Sequence, residues 1–214
     1  MDAKPKRRTR ERILEAALDL FNEYGVPGVA TATIAETMNI SPGNLYYHFH
    51  SKDKIIEALF AQFKQEIETT LTAPESRTTH AEDIWLFLHL LFEAIAKFRF
   101  VYRDLNELLS RHRFLEIQFR RILDHKVRTA TAIMKGLVKS GAMIATPREI
   151  ETLATTMTMV ASYWLSFAYA RDPRAPLDGR TLASGAFYVI SLAAPYLAPR
   201  ERQLFDDLAT RYLH

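Results

Sequence analysis

The 214-residue chain contains no cysteine, which excludes disulfides, thiolate metal ligands and a cysteine nucleophile. Its seven histidines include no H-x-x-x-H pair, the spacing that would set two imidazoles on one helical face around a metal. There is no glycine-rich loop to cradle a phosphate and no Ser-His-Asp pattern. Asp206 and Asp207 are adjacent, so on a helix their carboxylates diverge by ~100° and do not share a site. No catalytic residue, metal or cofactor is therefore expected. Strand-type alternation and fixed-period repeats are also lacking, which points to an all-α chain. The basic start is followed by no apolar stretch of the signal-peptide kind, so a cytoplasmic protein is expected.

Long apolar runs are scarce. An uncharged one, "LATTMTMVASYWLSFAYA" at 153–170, is near the lower length limit of a membrane span, but its threonines and serines leave it weakly hydrophobic. No membrane is expected as a partner. A helix apolar on several sides is one packed against two neighbours. Leu153, Ala154, Met157, Ala161 and Trp164 can face the subunit's own core, and the small residues elsewhere admit a second helix. "LASGAFYVISLAAPYLA" is two-sided in the same way, so the helices expected at 147–170 and 179–196 predict a four-helix homodimer seam that includes Ala161 and Ala186.

What the chain does have is a dense aromatic segment, "SPGNLYYHFHSKDKI", at 41–55. Ser41 reads as a helix N-cap and Pro42 as the first helical residue. At ~100° per residue, Leu45 and Phe49 share one face, while Gly43, Asn44 and Tyr47 point away and Tyr46 and His48 flank them. Upstream, "RERILEAALDLFNEYG" has the one-face spacing of an amphipathic helix, with Thr9 as its expected cap and Gly25 as its stop. "TATIAETMNI" predicts a shorter helix capped by Thr31, with Ile34, Ala35 and Met38 inward, Asn39 in a left-handed turn and Ile40 as a buried plug. Two short helices joined by a tight turn and braced by a longer one make a helix-turn-helix, whose second helix enters the major groove of double-stranded DNA.

That assignment gives the polar edge a task. Asn44 can pair bidentately with adenine, and Gly43 lets the helix approach the bases. Tyr46, Tyr47 and His48 are placed for sugar and phosphate, and Lys52, in the first turn of a helix capped by Ser51, adds a cation. Residues 1–12 hold six Lys or Arg against Asp2 and Glu11, a flexible basic arm suited to clamping DNA. A solvated tail is the bland alternative. Residues 97–128 are also basic, with nine Lys or Arg against four acids, and read as a solvated helical face.

Over residues 10–60, and most specifically in "GNLYYHFHSKDKIIEAL", the chain resembles the tetracycline-repressor family of bacterial regulators. The resemblance implies that Tyr46, Tyr47, His48 and Lys52 contact the operator backbone, with Thr31, Thr33 and Pro42 as further candidates. Asn39 stands where that family commonly has glycine, and Ala32 where it often has a basic residue. It also implies a homodimer and a small-molecule effector held in the C-terminal region. That region is rich in rings and thioethers, most of which belong to a core. A pocket in a helix bundle is apolar with a few polar groups, and Trp85, His89, Phe92, Tyr102, Asn106, Tyr163 and Trp164 are its candidate lining.

The expected organisation is therefore a helix-turn-helix domain over residues 1–56 and a helical ligand-binding and dimerisation bundle over 57–214. Further helices are expected at 51–71, 82–98, 100–111, 114–139 and 199–213. The leading function is a dimeric repressor released from a near-palindromic operator by an apolar or aromatic ligand. A DNA-binding regulator without ligand response is the first alternative, and an all-α enzyme using an apolar cavity the second.

Overall fold

A computed structural model describes residues 4–72, 81–175 and 178–212. Among them the chain is all-α, and the only extended pairing is an isolated antiparallel bridge between Met143 and Leu197. It divides into two compact units. One comprises residues up to Gln65 together with Phe98–Glu116, the other Glu66–Lys97 with Ile117 onward. The segment Phe98–Glu116 joins the N-terminal helices in this division because it folds back onto the first of them.

The first unit opens with α1 (Lys4–Tyr24). The helix starts five residues before the expected cap, so Thr9 lies inside it and residues 4–12 are helical instead of a flexible arm. Lys and Arg are good helix formers. Gly25 ends it at φ +77°, as its position predicts. α2 (Thr31–Thr37) is preceded by Ala30 as its cap, with no side-chain cap bond, and Thr31 is its first helical residue instead of the cap. Asn39 takes φ +53° between α2 and α3 (Pro42–His48), and Ile34 and Ala35 are buried beneath while Met38 and Ile40 are half-buried.

The long α4 (Lys52–Thr72) follows, with the Lys54 N–H donating to Ser51 Oγ at 3.3 Å. Its first turns bury Ile55, Ile56, Leu59, Phe60 and Phe63, and Phe63 stands edge-on to the rings of Phe98 and of Tyr102 in α6 (Arg99–Arg103), 5.8 and 5.6 Å between centroids. The helix expected over 100–111 is divided at Asp104 into α6 and α7 (Leu105–Arg111). Asp104 is drawn away by a distant partner: its carboxylate accepts from the Val26 N–H at 2.6 Å. Asn22 Oδ1 accepts from the Phe100 N–H at 3.0 Å, and Arg103 donates to the Glu23 carbonyl at 3.1 Å, so α6 caps the exposed carbonyl end of α1.

The second unit contains the end of α4, α5 (Ala81–Lys97), most of α8 (Arg113–Ser140), α9 (Pro147–Arg171), α10 (Gly179–Ser191) and α11 (Pro199–Tyr212). α9 begins with a full capping box, Thr146 and Glu149 satisfying each other's backbone N–H, and these bonds pull the Glu149 carboxyl below its ordinary pKa. Asp178 caps α10 by accepting from the Thr181 N–H at 3.0 Å. α10 ends at Ser191 instead of running to 196, and a 3-10 turn at Ala194–Tyr196 places Pro195 where an α-helix would lose a bond. α10 packs on α9 and α5 through Gly185, where a Cβ would stand 2.4 Å from a Phe92 ring carbon and 2.6 Å from Trp164. Leu153, Ala154, Met157 and Ala161 line the inner face of α9 as expected, with Trp164 half-buried. No helix among the described residues is long and apolar enough to cross a membrane.

Candidate nucleic-acid interface

α3 is built to be held from one side and shown on the other. Ser41 Oγ accepts from the Asn44 N–H at 3.2 Å, Pro42 occupies the first turn, and Leu45 and Phe49 are buried beneath. Arg10 of α1 lies over the Phe49 ring, 4.6 Å from its centroid. Gly43 and Asn44 are exposed, and Tyr46 and Tyr47 are 60% and 59% exposed. Rings of that size are left in water only at a cost of ~25 cal/mol for each Å² of apolar surface, so the edge is formed for contact. A Cβ at Gly43 would meet only Ser41 Oγ, 4.0 Å away. Nothing inside the protein calls for glycine there, and the missing side chain leaves room outside.

The rings are ordered by their neighbours. Tyr46 meets His50 edge-on at 5.1 Å, and Tyr47 meets the half-buried His48 at 5.3 Å. A groove beside α3 is lined by Pro27–Ala32, Pro42, Gly43, Tyr46, His50 and Lys52. Thr31 is half-buried on this groove, while Thr33 is exposed and its carbonyl accepts from Thr37 Oγ1 at 2.9 Å. Lys52 is turned partly inward: its ammonium donates to the Val26 carbonyl, and burial pushes its pKa below the ordinary lysine value. His50, just past the end of α3, was not among the sequence candidates.

The ligand candidates are not brought together. Tyr102 is fully buried in the first unit, where burial drives its phenol pKa far up, and Asn106 is exposed on α7 of the same unit. In the second unit His89 is exposed and lies 3.2 Å from Glu93, and Tyr163 is exposed. Phe92 is buried, and Trp164 donates its indole N–H to the Thr181 carbonyl at 2.8 Å; both converge on Gly185. The side chain of Trp85 lies outside the described residues. The second unit does contain a cavity of about 70 Å³, walled by other residues: Leu71, Leu88, Leu91, Met134, Met157 and Ile190 among them, with Lys126, Thr158 and Glu201 as polar members. Among the described residues no group of three His, Asp or Glu could hold a metal ion.

A braced three-helix head that displays a short helix with a polar aromatic edge defines a helix-turn-helix DNA-binding module, here joined to a helical second unit. Residues 13–59 match the family model described as bacterial regulatory proteins, tetR family, and residues 62–205 match the one described as a bacterial transcriptional repressor, TetR. The chain belongs to the TetR family. It is 44% identical over 54 residues to the HTH-type transcriptional regulator UidR of Escherichia coli K12, covering 25% of this chain and 28% of that one. It is 27% identical over 105 residues to the probable regulator YttP of Bacillus subtilis, covering 46% of this chain and 51% of that one. The matched stretches thus span from about a quarter to a half of these relatives. A crystal structure of a TetR-family transcriptional regulator from Marinobacter aquaeolei superposes with a TM-score of 0.85 at 30% identity, over 95% of this chain and 98% of that one.

Proposed function

We propose that this chain is a transcriptional repressor that binds a near-palindromic operator in the cytoplasm as a homodimer and leaves it when a small effector binds the second unit. The observation that carries the DNA reading is the exposed edge of α3: Gly43, Asn44, Tyr46 and Tyr47 over buried Leu45 and Phe49. Asn44 reads a base; Tyr46, Tyr47, His48, Pro42, Thr31, Thr33 and Lys52 position the helix on the phosphate backbone.

One recognition helix covers only a few base pairs, so two related by a dyad are needed for selectivity. The outer faces of α9 and α10 support a seam, since Met159, Tyr163, Phe167 and Tyr188 all stand more than two-fifths exposed. Effector control follows from α4, one 21-residue helix with Lys52 in its first turn and the cavity residue Leu71 near its last. A helix of this length spans ~30 Å, so a tilt of a few degrees moves its far end by an ångström or more.

The test is selection of bound duplexes from a random-sequence pool, followed by measurement of the mass of the complex. Enrichment of two inverted half-sites, with two chains on each duplex, supports the reading. Enrichment of no sequence counts against it.

A further inference from the structure

We propose that the cavity of the second unit takes a short aliphatic carboxylic acid, its hydrocarbon chain against the apolar wall and its carboxylate on the Lys126 ammonium. This deepens the effector reading above and rests on it. Lys126 is 4% exposed, and among the described residues it is the only basic side chain on the cavity wall. Lysine is almost never buried for packing, because an apolar side chain of similar volume fills the same space without desolvating an ammonium. Its Nζ donates to Ser162 Oγ at 3.0 Å, one turn along α9 from Thr158, a residue of the cavity wall. Ser162 is itself 1% exposed, so the ammonium is held inside the bundle by a buried hydroxyl instead of reaching for water.

Size and charge then select the ligand. A cavity of about 70 Å³ holds on the order of five water-sized groups, which suits an acid of roughly four to six carbons. A monoanion with a hydrocarbon tail matches a wall that is apolar except for Lys126, Thr158 and Glu201. A phosphate dianion would lose far more hydration on entry. Glu201 of α11 is the other ionisable side chain on the wall among the described residues. Burial lowers the Lys126 pKa to about 7, so near neutrality an arriving carboxylate restores the full positive charge by drawing in a proton.

The experiment is titration calorimetry of the full chain at neutral pH with butanoate and hexanoate, against butanamide, hexanamide and inorganic phosphate. We expect each acid to bind at least about tenfold tighter than its amide. At about pH 8 the measured heat should vary with the ionisation enthalpy of the buffer, reporting proton uptake. Lys126→Met should remove both the preference and the uptake. Equal affinity for acid and amide, no acid binding at millimolar concentration, tighter phosphate binding, or an acid preference that survives Lys126→Met overturns the site. Should that variant not fold, the acid-to-amide ratio and the proton uptake of the unmodified chain decide the matter alone. Operator affinity is measured in parallel. Lys126-dependent acid binding that leaves it unchanged upholds the site and removes the effector reading, whereas release by the amide and not by the acid does the reverse.

Discussion

The ammonium of Lys52 donates to the carbonyl of Val26, while the N–H of the same residue donates to Asp104 at 2.6 Å. The turn after α1 is thus held from α4 on one side and from the start of α7 on the other, which fixes the floor of the groove beside α3. Lys52 has one ammonium, so bracing this turn competes with the phosphate contact proposed for it.

Lys52→Ala separates them. Loss of the brace should lower the unfolding free energy by ~1 kcal/mol, read by denaturant titration. Loss of a phosphate contact should also lower the magnitude of the salt slope of DNA binding by ~0.9 per contact, or ~1.8 for a symmetric dimer, on specific and random DNA alike. Lowered stability with an unchanged slope would assign Lys52 to the turn alone.

Gly185→Ala should destabilise the second unit by ~1–3 kcal/mol, because the new methyl would enter the Phe92 and Trp164 rings. The indole bond to Thr181 should be disturbed with it, so tryptophan emission is the second readout. A stable variant with unshifted emission would show that the three helices can separate there at little cost.

Assembly is tested at the outer face of α9. Phe167→Glu adds a charge where the ring now meets water in the monomer, so the fold should survive. At a dimer seam the same unpaired charge is desolvated at a cost of several kcal/mol, and sedimentation should report a folded monomer. Ala161 and Ala186, both apt seam residues by sequence, are buried within their own unit, so a charge at either would test folding instead. A Phe167→Glu variant that remains dimeric contradicts this seam.

Lys126 gives a pH signature of stability. Its folded pKa of about 7 lies below that of the unfolded chain, ~10.4, so between these values the unfolded state binds more protons. This group's contribution to stability therefore rises with pH from about 7 toward 10, and its penalty is fully present below 7. Lys126→Met should be more stable than the parent near pH 6, by on the order of a few kcal/mol, with the gap closing as pH rises. A constant gap would show that the lysine is not desolvated.

Legibility from sequence followed the range of the interactions. The Ser41 cap, the inward pair Leu45 and Phe49, the left-handed Asn39 and the stop at Gly25 all depend on neighbours within a turn or two, and all were readable. The break at Asp104 was not, since its cause is Val26, 78 residues away. The start of α1 at Lys4 was hidden because Thr9 is an equally good local cap and nothing nearby forbids more helix. Of the two site readings, the α3 edge was legible because the face of a single helix is set by the 3.6-residue period. The cavity was not: Leu71, Lys126, Met157 and Ile190 come from four helices, and their convergence follows from packing. Charge pattern alone placed Lys126 on a solvated basic face, whereas its side chain is turned inward to Ser162.

The central claim is that α3 reads bases through Asn44 and is only positioned by its rings. The most direct measurement compares the affinities of the parent and Asn44→Ala across a set of operators changed one base pair at a time. The variant should lose discrimination, by ~1–3 kcal/mol, at one position in each half-site and keep it elsewhere. An equal loss on every sequence, with the pattern of preference intact, would contradict it.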